Sequence, residues 1–92
     1  MEIRFYATLR DLTGGRSDEF ALAPGTTVRG LLDAVVARYP AIREELFDEA
    51  GGLYPHVHVF INGRDAPYLE RALETPLRAD DKVDIFPAIG GG

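Results

Sequence analysis

Ninety-two residues suffice for one small hydrophobic core and leave no room for a second domain or a large enclosed active site. The formal charge of −5, from 15 acids against 10 lysines and arginines, argues against nucleic-acid binding and suits docking to a basic protein surface. Cysteine is absent, which excludes disulfides, a thiol nucleophile and thiolate metal sites. The opening Met1-Glu2-Ile3-Arg4-Phe5 lacks a signal peptide's apolar stretch, and no run of about eighteen apolar residues occurs, so the chain is expected in the cytoplasm and not in a membrane.

In chain order, Glu2–Thr8 alternates in polarity and predicts a half-buried strand, with Ile3, Phe5 and Ala7 inward and Arg4, Tyr6 and Thr8 outward. Leu12–Ser17 supplies turn residues, and Asp18–Leu22 reads as a second strand, Phe20 and Leu22 inward, closing a hairpin with the first. After the Ala23-Pro24-Gly25 break, Thr26 or Thr27 is placed to cap a helix. Val28, Leu31, Leu32, Val35, Val36 and Tyr39 recur at helical spacing, predicting one amphipathic helix through Arg38. Pro40 ends it, and Ala41–Phe47 suggests a short second helix with Ile42 and Leu46 inward. Its acids Glu44, Glu45, Asp48 and Glu49 read as a solvated face and not as catalytic carboxylate pairs. Gly51-Gly52 opens a loop, His56–Ile61 predicts a strand with Val57, Val59 and Ile61 inward, and Asn62-Gly63 is a strong hairpin turn. Arg64–Arg78 reads as irregular, with a helical turn near Leu69–Leu73 and a short extended piece. Asp80-Asp81 then turns the chain into a final strand, Lys82–Phe86, with Val83 and Ile85 inward.

This order of elements predicts an α+β fold of the β-grasp type: a mixed sheet of four to five strands, one main helix packed across one face, and the first and last strands side by side in the middle. Strand parity then decides what the other face shows. The outward set is Arg4, Tyr6, His58, Phe60, Asp84 and Phe86. Aromatics rimmed by charge mark protein interaction sites, so Tyr6, Phe60, Phe86, Arg4 and His58 are the candidate partner-binding residues. The competing expectation is that the loop Asp48–Pro55 or the segment around Tyr68 folds over them, or that one strand is out of register.

Other chemistry is sparse. There is no Walker-type phosphate loop and no glycine triplet between a strand and a helix. His56 and His58 have no third clustered ligand and read as structural, and no Ser or Thr sits in a triad-like arrangement. What remains is the ending, Phe86-Pro87-Ala88-Ile89-Gly90-Gly91-Gly92. Terminal glycines add nothing to stability, because each loses the most backbone entropy and buries no side chain. They do let a tail thread a narrow channel, so the terminal carboxylate reads as a group to be activated. The plain alternative is a frayed terminus or a cloning scar. The expected organisation is a β-grasp domain over 1–86 and a flexible tail over 87–92.

The opening Ile3-Arg4-Phe5-Tyr6-Ala7-Thr8-Leu9-Arg10-Asp11-Leu12-Thr13-Gly14, the helix start Thr27-Val28-Arg29-Gly30-Leu31-Leu32 and the ending from Asp80 to Gly92 resemble the MoaD/ThiS sulfur carriers over nearly the whole chain. Two features depart from the usual family pattern: a third glycine, Gly90, and a loop Asp48–Tyr54 longer than in the shortest members. The resemblance implies a co-substrate with no autonomous active site and no bound cofactor. In the implied cycle, a ubiquitin-activating-type adenylyltransferase uses ATP to adenylate the Gly92 carboxylate. A sulfurtransferase donor then converts it to a thiocarboxylate, and an acceptor enzyme, such as the molybdopterin synthase large subunit, takes the sulfur. Gly92 and Gly91 carry the reaction, and Phe86, Pro87, Ala88, Ile89 and Gly90 thread the tail into the partner. Molybdopterin synthesis is the favoured pathway from the N-terminal half. A carrier for cysteine, thiazole or tRNA thiolation, a ubiquitin-like modifier of lysines, and a plain binding module with an inert tail are the alternatives.

Overall fold

The computed structural model describes residues 1–87; the calls on Ala88, Ile89, Gly90, Gly91 and Gly92 lie outside the described residues. The elements are β1 (Glu2–Phe5), α1 (Leu9–Thr13), β2 (Ser17–Glu19), α2 (Val28–Arg38), α3 (Arg43–Leu46), β3 (His58–Ile61), β4 (Arg64–Asp65) and β5 (Val83–Phe86). Single 3-10 turns at Pro40–Ile42, Ala66–Tyr68 and Ala72–Glu74 complete them. The strands form one mixed five-stranded sheet in the order β2-β1-β5-β3-β4, with β1 parallel to β5 and the other neighbours antiparallel. This is the expected β-grasp, with the first and last strands adjacent at its centre.

Alternation makes one face of the sheet apolar. Ile3, Phe5, Val59, Ile61, Val83 and Ile85 are buried, and they share one core with Val28, Leu31, Leu32 and Val35 of α2. The helix starts where the sequence predicts. Thr27 has extended backbone and its Oγ1 accepts from the Gly30 N–H at 3.1 Å, satisfying one of the donors that a helix start leaves open. Pro40 stops α2 and opens the 3-10 turn, after which Ile42 and Leu46 enter the core. Glu44, Glu45, Asp48 and Glu49 are exposed, as expected of a solvated face.

The N-terminal third departs from expectation. The first strand ends at Phe5 and not at Thr8, and helix α1 follows it, overlapping at Leu12 and Thr13 the stretch expected as a turn. Ala7, placed inward by alternation, adopts φ 52° and is exposed, and this left-handed step redirects the chain so that Leu9 enters the core instead. Gly14, at φ 76°, closes α1 by donating its N–H to the Arg10 carbonyl at 3.0 Å. Strands β1 and β2 do pair, but across this helical connection and not a tight turn. The second strand is Ser17–Glu19, so Phe20 is buried just beyond it and Leu22 is only partly buried.

The Asn62-Gly63 expectation holds. Ile61 pairs with Arg64 across a two-residue loop in which Asn62 and Gly63 have φ 53° and 84°, the geometry that a right-twisted hairpin needs. The irregular segment carries β4 and the two 3-10 turns at Ala66–Tyr68 and Ala72–Glu74, where a helical turn and a short extended piece were expected nearby. His56 lies outside β3, so it does not share a strand face with His58.

Candidate functional site

The sheet face opposite the core is laid out as a grid by strand register. Across one row Arg4 pairs with Asp84, Asp84 with Phe60 and Phe60 with Asp65; in the next, Phe86 pairs with His58. Tyr6, one residue past β1, continues that row, its N–H donating to the Ile85 carbonyl at 3.2 Å. The five residues read from the sequence as partner-binding are therefore brought together on one face.

Their contacts are specific. Tyr6 stacks on Phe86 with ring centroids 4.1 Å apart and planes 6° apart, and Phe60 meets Phe86 edge to face at 5.5 Å. His58 stacks on Phe60 at 5.8 Å. Tyr6, Phe60 and Phe86 are half-buried, each covering part of the next, and Arg4 and His58 are exposed. Tyr68 is 77% exposed, which does not fit the competing expectation that it folds inward as a cover.

A charged rim fixes this aromatic cluster. Asp84 accepts from the Tyr6 hydroxyl at 2.7 Å and pairs with Arg4 through Nε at 2.7 Å and Nη2 at 3.2 Å. The hydrogen bond to Asp84, with burial and the carboxylate's charge adding to it, holds the Tyr6 phenol above its ordinary pKa. Asp84 likewise raises the Arg4 guanidinium further above its already high value. Arg10 from α1 lies over the Tyr6 ring at 5.6 Å while its Nε donates to the Phe5 carbonyl at 3.1 Å. On the far side, His58 Nδ1 lies 2.6 Å from Asp65 Oδ2.

Asp65 and Arg10 were not among the residues singled out from the sequence. The Asp65 contact follows from the hairpin: a two-residue Asn-Gly loop sets Phe60 opposite Asp65, and His58 is then its diagonal neighbour on the same face. Arg10 carries no such signal, because it reaches Tyr6 through the unpredicted helix α1. Pro87, read as the start of the tail, is buried directly after Phe86. No group of three or more potential metal ligands occurs among the described residues. No helix among them is long and apolar enough to cross a membrane.

The arrangement offers a contiguous aromatic surface with arginine and histidine at its margin, a composition that suits binding a protein. Comparisons with known proteins agree with the fold. The ThiS family model matches residues 3–92. Small archaeal modifier protein 3 of Haloferax volcanii is 34% identical over 92 residues, 100% of this chain and 98% of that protein. The sulfur carrier protein CysO of Mycobacterium tuberculosis is 33% identical over 86 residues, 91% of this chain and 89% of that protein. Among solved structures, SAMP1 from Haloferax volcanii superimposes with a TM-score of 0.85 at 33% identity, covering 99% of this chain and 97% of the other.

Proposed function

The chain belongs to the ThiS family of ubiquitin-like sulfur carriers, and on that footing we propose that its Gly92 carboxylate is adenylated by a partner enzyme and converted to a sulfur-donating thiocarboxylate. The observation that carries this reading is the family match over residues 3–92, which includes the glycines, combined with an aromatic face whose last member, Phe86, immediately precedes the final residues. A carboxylate is a poor electrophile. Adenylation gives it a good leaving group and divides one hard step into easier ones. In this division of labour the Tyr6, Phe60 and Phe86 surface docks on the activating and accepting enzymes. Pro87–Gly92, which extended spans roughly 20 Å, carries the reacting carbon into their active sites, where closure excludes water. ATP is bound by the activating partner, and this chain supplies no cofactor.

Two readings of the acceptor stand beside each other. The opening Ile3–Gly14 favours molybdopterin synthesis, whereas the 33% identity to CysO favours a carrier feeding cysteine synthesis. The 34% identity to small archaeal modifier protein 3 supports a second fate, in which a lysine amine attacks the same activated glycine. Recovering the chain from its native cells tests these together. A molybdopterin synthase large subunit or a cysteine synthase homologue copurifying with a thiocarboxylate-bearing chain decides the pathway. Isopeptide adducts on unrelated proteins, with no thiocarboxylate, would make it a modifier.

A further inference from the structure

Asn62 is the single asparagine of the chain, glutamine is absent, and the residue after Asn62 is Gly63. A side-chain amide is inert in water unless a backbone nitrogen can reach its carbon, and glycine, with no side chain in the way, is the successor that best permits that approach. A Cβ on Gly63 would meet nothing within 4 Å, and both residues are exposed, so the pair is open to water. The one carboxamide of the chain therefore stands where closure onto the main chain is chemically open.

The fold engages that amide at both of its polar atoms. Asn62 Nδ2 donates to Asp81 Oδ1 at 2.9 Å, and Asn62 Oδ1 accepts from the Lys82 N–H at 2.9 Å. The Asn62 N–H donates in turn to the Lys82 carbonyl at 2.8 Å. Asp81 is itself held, its Oδ2 accepting from the Arg78 N–H at 2.8 Å. This clasp ties the β3–β4 turn to the approach of β5, and turning the carboxamide onto the Gly63 nitrogen breaks both of its hydrogen bonds.

We propose that Asn62 is a modification site, where the Gly63 nitrogen closes a succinimide, and that the clasp to Asp81 and Lys82 sets how fast the folded chain undergoes it. In the step the Gly63 nitrogen bonds to Asn62 Cγ, and the Cγ–Nδ2 bond breaks with its electron pair on nitrogen. The proton lost by Gly63 ends, through solvent, on the departing ammonia. Water then opens the ring. Attack at Cγ gives aspartate, and attack at the main-chain carbonyl gives isoaspartate, whose backbone is one methylene longer. Either product removes the donor to Asp81 and sets one carboxylate beside another. Isoaspartate also lengthens the two-residue turn that sets Phe60 opposite Asp65, and so loosens the contact of Asp65 with His58 at the margin of the aromatic face. The only co-reactant is water, so the step is independent of the chemistry at Gly92.

The test incubates the full chain at mildly alkaline pH, folded and in urea, and weighs the tryptic peptide Glu44–Arg64 for replacement of the amide nitrogen by oxygen. The chain in urea should convert and the folded chain should convert more slowly. Folded Asp81→Ala should convert about tenfold faster than the folded parent, the effect of losing one hydrogen bond to a carboxylate. Leu31→Ala, which weakens the core and leaves the clasp in place, should keep the parent's rate. No conversion in urea would overturn the site itself. Equal rates folded and in urea, no acceleration in Asp81→Ala, or an equal acceleration in Leu31→Ala would overturn control by the clasp. In the isolated isoaspartate product the cross-strand nuclear Overhauser effect between the Phe60 and Asp65 α-protons should be lost, and its retention would overturn the link to the aromatic face.

Discussion

The Tyr6 hydroxyl donates to Asp84 Oδ1 at 2.7 Å, tying the residue just past the first strand to the last strand through two side chains 78 residues apart. The same carboxylate pairs with Arg4, so one acid positions both the ring that stacks on Phe86 and a cation at the rim. Asp84→Asn removes the charge and keeps the shape. It should let the Tyr6 phenol fall towards its ordinary pKa near 10, because the hydroxyl then donates to a weaker neutral acceptor and its ionised form no longer faces a carboxylate. A difference absorbance titration against Tyr6→Phe reads this directly. An unchanged Tyr6 titration would show that Asp84 is not what holds the proton.

Phe60 contacts both Phe86 and His58 at the centre of the proposed docking face. Phe60→Asp should lower kcat/KM for adenylation about 30-fold, the effect of losing one interface hot spot of about 2 kcal/mol, with only a small change in Tm. Leu31→Ala is the contrasting variant. It empties a fully buried core position, should cost about 3 kcal/mol and should lower Tm by more than about 10 °C, while the folded fraction below that Tm still activates normally. If both variants lose activation in proportion to Tm, the face has no separate role in docking.

Gly63 occupies the left-handed region at φ 84° in the hairpin that sets Phe60 opposite Asp65. A Cβ there meets no neighbour within 4 Å, so any penalty is backbone strain and not a clash. Gly63→Ala should therefore destabilise by about 1 to 2 kcal/mol, whereas Gly63→Asn, a residue more tolerant of this conformation, should cost less. Urea denaturation midpoints at constant m-value give the comparison.

Asp18 ties part of the fold's stability to pH. The Tyr39 hydroxyl and Arg38 both hydrogen-bond Asp18, and they hold its carboxyl below the ordinary value of 3.8. Because the folded pKa is lowered, this contribution is present above pH about 4 and is lost as the pH falls through the folded value. Tyr39→Phe removes the largest cause. The variant should be less stable than the parent near neutrality, and the two stabilities should converge at low pH. A gap that stays constant with pH would show that the hydroxyl does not act through the Asp18 carboxylate, since phenylalanine keeps the ring that meets Phe5 at 6.0 Å.

The sheet, α2 and the outward aromatic set were legible because each rests on a repeating pattern. Period-2 alternation sorted Ile3 from Arg4 and Val59 from Phe60, helical spacing placed Leu31 and Leu32, and Asn62-Gly63 named its own turn. Helix α1 has no such redundancy. Five residues cannot show a helical period, and the left-handed step that opens it falls on Ala7 and not on a glycine. The consequence reached the site, since Arg10 sits over Tyr6 only because α1 exists. Asp65 is a different case: the Asn-Gly turn sets the hairpin register that places it beside His58, but a single charge on a two-residue strand carries no periodic signal of its own.

The most direct measurement is the intact mass of the chain after incubation with its adenylating enzyme, MgATP and a sulfur donor. The account predicts replacement of one oxygen by sulfur, mapped to Gly92 by fragmentation and lost when Gly91 and Gly92 are deleted. A chain that emerges with its mass unchanged while the same enzyme converts a known carrier would contradict it.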